Sequence, residues 1–545
     1  MMRRQPKRIS KICWSVIRTI PWRNGALTYL GNSELKLGES EEALAAFEET
    51  LKRFPKGRMS EEAAFGAAQA LGSLGRLDEA AAAYQAIIAR KNRHTTSAYL
   101  KLAALEYERN EYEAALKLYQ DFQKAYPQDD QIGTSHLNAG YTWFRMEKYP
   151  EARHQFEAAA KSEPLLRPAT YWTALCYKAE DNLQQAISIL TEMYKADKEA
   201  ADPERPLQPE IVYHLADANL RLEEYSQAEE LFLILQEKWP NEKISENGLH
   251  FASLAAFQAD NFDRAQELMD RFQELYPQSP LQLRQQLLRG RILTARGGDE
   301  NLKQAVSILS EILESSTIAR TQTLARLHLA HALTQQKKHQ EAMDNLQPLL
   351  DSNDSELHPD EQKDLLLLAG LNQKELGNSD AAAEYFQKYL ADYPDDERSA
   401  QIVSELLQVR AEKSSPEDVK ALLDRIRKQA ESEGLTEDSL QLRGLRMAAE
   451  TLYKNDQWSA AEALFQALVD LAEYTPSKKP AGADLSGLAW SQYQQQKWEP
   501  AIQHFNQLIV AWPQEEAFAP EALLMVGRAQ EALGNQTEST LRGTN

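Results

Sequence analysis

Residues 370–394, GLNQKELGNSDAAAEYFQKYLADYP, contain the pattern on which most of the chain is built. Gly370 is a small residue on one apolar stripe, Gly377 interrupts it, Ala382 and Phe386 open a second, and Pro394 ends it. A residue without Cβ lets two helices approach closely, and Gly377 takes up a left-handed conformation that other side chains avoid, ending the first helix. Residues four apart on a helix share a face, so Ala382 and Phe386 meet the first helix together. Proline has no N–H to donate and clashes with the preceding turn, so Pro394 closes the second helix. The stretch predicts two short helices, a tight turn and a stop.

Working outward, an Ala followed four places later by an apolar residue recurs along the chain. The pairs are Ala43 with Phe47, Ala80 with Tyr84, Ala115 with Tyr119, Ala152 with Phe156, Ala186 with Leu190 and Ala228 with Phe232. The series continues at Ala265 with Met269, Ala305 with Leu309, Ala342 with Leu346, Ala461 with Phe465 and Ala501 with Phe505. Three residues before the Ala stands a large ring at Tyr112, Tyr149, Tyr225, Phe262, Trp458 and Trp498; twelve after it stands Pro55, Pro127, Pro164, Pro240, Pro277 or Pro513. A helix pair cannot bury its apolar face alone, so units repeated in register stack on their neighbours around a shared core.

These columns resemble the tetratricopeptide repeat (TPR) family, whose unit is a helix-turn-helix of about 34 residues. The resemblance covers nearly everything after Ala26 and implies an all-α fold, a right-handed superhelical solenoid of tandem repeats. Spacings such as Ala228 to Ala265 exceed the family period by about three residues, and the excess is expected after the proline. Units ending in YPQS, YPDD, YPQD or WPNE look like the longer repeats of bacterial cell-envelope members of the family. That similarity implies a cell-envelope location; a cytoplasmic adaptor is the alternative.

The 545-residue chain carries 82 acidic and 61 basic residues, a net charge of −21 that repels phosphate backbones and makes nucleic acid an unexpected partner. Its two cysteines, Cys13 and Cys176, give no disulfide framework. Cys176 lies among small residues in YWTALCYKAE and is expected to be a buried small hydrophobe.

Residues 1–23 form a basic leader with Arg3, Arg4, Lys7, Arg8, Lys11, Arg18 and Arg23 and no acid. Three readings stay open for it: a disordered start, an amphipathic helix touching an anionic membrane surface, or a degraded export signal whose apolar core is broken at Arg18. A repeat array is expected over 24–198, then a Pro-rich acidic loop over 199–209 and a second array over 210–399. Residues 400–440 are read as a degenerate repeat or a boundary between arrays. Repeats resume over 441–545 and end on an incomplete unit, either a cap or a truncation.

In the family the first helix of each unit lines the concave surface, where partners bind as extended peptides or helices. Carried over to this register, the inner positions are Phe65, Tyr107, Tyr141, Phe144, Tyr171, Tyr213, Phe257, Tyr453, Trp490 and Tyr493. Aromatic side chains give large contact area and are natural anchors; Tyr141 with Phe144, and Trp490 with Tyr493, are the strongest candidates because each pair shares one face. The alternative for any one ring is packing between adjacent first helices. No HExxH, GxSxG, phosphate loop or paired-Cys pattern is present, so no enzyme, cofactor or catalytic residue is expected. His328 and His331 lie three apart on one helix without a third ligand in sequence. The expected function is a protein-binding scaffold, with an envelope carbohydrate-binding or enzyme-associated module as the alternative.

Overall fold

A computed structural model describes residues 23–200, 208–352, 357–412, 416–513 and 518–534. Among these, 27 α-helices and no strand are found. The leader through residue 22, the centre of the Pro-rich loop and the polar end after Gly534 lie outside the described residues. The helices fall into two units, residues 1–276 and 277–545, each an all-α solenoid of tandem helix pairs.

One turn joins the two helices of nearly every pair. Five residues before every column Ala but Ala305, the backbone is left-handed: Gly38, Gly75 and Gly377 have φ of 78°, 72° and 77°, but Asn110, Glu147, Asp181, Glu223, Asp260 and Lys337 take the same conformation at 55–64°. The Lys148 N–H then reaches back to the Trp143 carbonyl at 3.0 Å and the Glu147 N–H to that of Phe144 at 3.0 Å, satisfying carbonyls at the helix end. In the longer pair with consecutive glycines, Gly297 and Gly298 both have positive φ between the helices Gln282–Arg296 and Asp299–Ser315.

The small residues of the first helices make room for a ring. A Cβ added at Gly140 would lie 2.5 Å from Cε1 of Phe156, and Gly370 meets Phe386 in the same way. Phe47 presses on both Gly31 of its own pair and Gly66 of the next, and Phe465 on Gly487 of the following pair. The fully buried ring thus fastens one pair to its successor, which is why Phe47, Phe156, Phe232, Phe386 and Phe505 are sealed from solvent.

The residues after the proline form the turn into the next unit. In YPQD the Asp129 carboxylate accepts the Gln131 N–H at 2.8 Å, and in YPDD Asp396 accepts that of Arg398 at 3.0 Å. Asp and Asn favour such turns because the side chain closes them on its own backbone. Over 399–433 the helices are Ser399–Glu412 and Pro416–Glu433. Gly444 of the next first helix lies directly against the Ala400 carbonyl and Val403, while Ile426 and Ala430 join the core around Leu407 and Leu445.

A candidate partner-binding face

Consecutive first helices touch one another as well as their own second helices; in unit 1 this holds along Ile132–Arg145, Glu163–Ala179, Pro209–Arg221 and Lys243–Gln258. Side chains on their common face are therefore brought side by side. The result is a ladder of rings. Tyr141 and Phe144 both meet Trp172, with centroids 5.0 and 5.1 Å apart; Trp172 meets Tyr171 at 6.0 Å, and Tyr171 meets His214 at 5.9 Å. It continues from His214 to Tyr213 at 5.4 Å and from Tyr213 to Phe251 at 6.1 Å, and Phe251 in turn meets His250 at 5.2 Å. Tyr141, Phe144, Tyr171, Trp172, Tyr213 and Phe251 are all only half-buried.

A polar group sits inside this ladder. Lys178 Nζ donates to Asp217 Oδ2 at 2.8 Å and lies 2.8 Å from Nδ1 of His214. An ammonium has no acceptor to offer, so His214 Nδ1 is the unprotonated nitrogen of a neutral ring. Burial, then the Lys178 charge, push the His214 pKa down to about 4, opposed by Asp217. Arg221 donates to Asp181 at 2.6 Å and to the Lys178 carbonyl at 3.2 Å, tying the two first helices together. Burial raises the phenols of Tyr141 and Tyr213 and pushes that of Tyr171 up to about 12, so all three remain neutral donors at neutral pH.

Of the ten expected anchors, four join this ladder: Tyr141, Phe144, Tyr171 and Tyr213. Others turn toward the ends of their own pairs. Tyr107 meets Tyr112, Phe257 meets Phe262 and Tyr493 meets Trp498 across the intra-pair turn, at 5.0–5.9 Å; Phe144 makes the same contact with Tyr149. Phe65 stacks on His94 at 4.9 Å. In unit 2, Trp490 and Tyr493 form a pair 5.6 Å apart, and the Tyr453 hydroxyl accepts from Gln494. Trp172, Lys178, His214, Asp217 and Phe251 were not singled out in the sequence. Their signal is present in hindsight, since Trp172 and His214 each follow an expected anchor by one residue and lie on the face turned to the neighbouring pair.

Cys176 is fully buried and burial pushes its thiol up to about 12. Burial and the nearby Arg291 push His328 down to about 3, and burial lowers His331, whose Nε2 pairs with Gln335. Among the described residues no group of three or more His, Cys, Asp or Glu is arranged to hold a metal ion, and no helix is long and apolar enough to cross a membrane.

Tetratricopeptide repeat models match residues 30–94, 65–130, 137–203 and 446–516, and a further one residues 364–396. A tetratricopeptide repeat-like domain model matches residues 236–374. No curated protein matches the chain in sequence. Among solved structures, a tetratricopeptide repeat protein from Parabacteroides merdae ATCC 43184 is 16% identical with a TM-score of 0.42, covering 51% of this chain and 99% of its own. The APC/C hetero-tetramer Cut9-Hcn1 is 15% identical with a TM-score of 0.31, covering 93% and 96%. Naa15/Naa10 bound to HypK-THB is 15% identical with a TM-score of 0.29, covering 96% and 94%. The repeat models together match most of the chain between residues 30 and 516, leaving 131–136, 204–235 and 397–445 unmatched, and the chain belongs to the tetratricopeptide repeat family.

Proposed function

We propose that this chain is a non-catalytic scaffold that docks a partner polypeptide along the first helices of unit 1. The observation behind this reading is the unbroken ladder from Tyr141 to Phe251, six half-buried rings joined through His214 on the first helices of four successive pairs. Large rings held by their neighbours lose little entropy on contact and supply most of the energy of an interface. The Lys178–Asp217–His214 group places hydrogen-bonding atoms among those rings, which suits the backbone or polar side chains of a bound segment. A role in a bacterial cell envelope is part of the proposal, motivated by the basic leader and by the long repeats that end in YPQD-type turns.

The test is a crosslinking pull-down from the native cells, with membrane and soluble fractions kept apart, using the full chain, a chain lacking residues 1–23, and Tyr141→Ala with Phe144→Ala. Loss of the two rings is expected to weaken retention of the partner by about 2 kcal/mol or more with helical content unchanged. Unchanged retention removes the ladder from the interface. Recovery of envelope proteins only with the leader supports the envelope role; identical soluble partners with and without it refute that role. Retention of peptidoglycan without a protein partner would favour carbohydrate binding instead.

A further inference from the structure

A second site, independent of the ladder, lies in unit 2 where the loop 475–481 folds over the helices Leu440–Lys454 and Trp458–Leu471. It borders a cavity of about 500 Å³ that is open to solvent on one side, within the roughly 300–1,000 Å³ of small-ligand sites. Leu442, Leu468, Ala472 and Trp512 form apolar walls. The loop is held in place: Ser477 N–H donates to Glu437 at 3.0 Å, and the Trp512 indole N–H donates to the Pro480 carbonyl at 3.3 Å.

The charges around the cavity select its occupant. Arg446 is neutralised by a two-pronged pair with the buried Asp484, at 2.7 and 2.9 Å. Lys479 places its ammonium 3.6 Å from the centre of the Trp512 ring, the geometry of a cation–π contact. The acids Glu437, Asp438 and Asp484 outnumber the bases Arg446 and Lys479 in the lining, which is net negative, and the carboxylates of Glu437 and Asp438 are the exposed ones. Lys479 is a stand-in supplied by the chain: it shows that this ring face accepts an ammonium on an alkyl stem. A carboxylate or phosphate would meet Glu437 and Asp438 with Lys479 as the one lining cation not already paired to a carboxylate.

We infer that this cavity takes the end of a lysine side chain from a partner polypeptide, its stem against Leu442 and Leu468 and its ammonium between the Trp512 ring and the Glu437 and Asp438 carboxylates. Lys479 is then an internal competitor that leaves the ring when the partner arrives.

Calorimetric titration of the full chain tests this with four probes: the tripeptide acetyl-Gly-Lys-Gly-amide, its Gln analogue, n-pentylamine and pentanoate. The Lys tripeptide is expected to saturate, n-pentylamine to bind more weakly, and the Gln analogue and pentanoate not to bind. Glu437→Gln with Asp438→Asn is expected to weaken the Lys tripeptide about fivefold. Lys479→Ala, an exposed loop change that leaves the fold intact, is expected to strengthen it about threefold by removing the competitor; a merely structural Lys479 has no such effect. The inference is overturned by preference for pentanoate, by absence of amine binding in both the wild type and Lys479→Ala, or by unchanged or weaker binding in Lys479→Ala. Tighter binding of n-pentylamine than of the Lys tripeptide also overturns it, by assigning the cavity to a free amine.

Discussion

At the scale of single residues, two positions per repeat do most of the work, and they differ in how openly the sequence displays them. The left-handed turn residue is advertised where it is Gly377 and hidden where it is Glu147 or Lys337, because the helix-end hydrogen bonds impose the conformation whatever the side chain. A left-handed L-residue costs about 1–2 kcal/mol, partly offset by the entropy a glycine would lose. Lys337→Gly is therefore expected to stabilise its repeat by about 0.5 kcal/mol, and Gly377→Ala to destabilise by about 1 kcal/mol, both read from urea denaturation midpoints. The close-approach position is less forgiving. Gly140→Ala forces the Phe156 ring aside and is expected to cost about 1–3 kcal/mol. Combining it with Phe156→Leu should recover part of that loss; additive effects in this double-mutant cycle would show that the methyl group and the ring do not compete for one space.

At the scale of helices, the informative contacts lie between first helices of successive pairs. Tyr141 with Phe144 was legible as a pair because both fall on one face of one helix. Their convergence on Trp172, and that of Tyr171 on His214, was not, because it depends on how far each pair is rotated on the last. The neutral His214 at this junction makes a pH prediction. Its pKa falls from 6.5 to about 4 on folding, so between those values the unfolded chain binds more protons. Its contribution is fully present above pH 6.5 and declines as the pH falls toward 4, by up to about 3 kcal/mol. Melting of the full chain should drop between pH 7 and pH 5, where the lowered His328 and His331 also contribute, and His214→Gln, which keeps an acceptor for Lys178, should lessen that slope. An unaltered slope would place the proton uptake elsewhere. Below this window Asp396, where burial is outweighed by hydrogen bonds from Lys363, Tyr389 and Arg398 that hold its carboxyl low, adds a further loss in the same direction.

At the scale of the whole chain, stability in a repeat array is close to a sum of local terms, so damage stays near its source. Gly140→Ala is expected to raise hydrogen exchange in residues 132–179 while amides of 359–392 keep their protection; a uniform rise across both units would mean a single cooperative fold. By itself the sequence determined the class of fold and the register of its pairs, because the Ala, ring and Pro columns encode contacts within one pair or with the next, and those are local in sequence. It also indicated where the extra residues fall, since YPQD and YPDD carry their own turn chemistry. Only the tertiary structure decided which rings meet across pairs, that Lys178 and Asp217 bracket a neutral His214, and that the loop 475–481 folds Lys479 onto Trp512. Those contacts join residues about thirty to forty apart, where helix rotation and loop path set the distance and no spacing rule in the sequence records it.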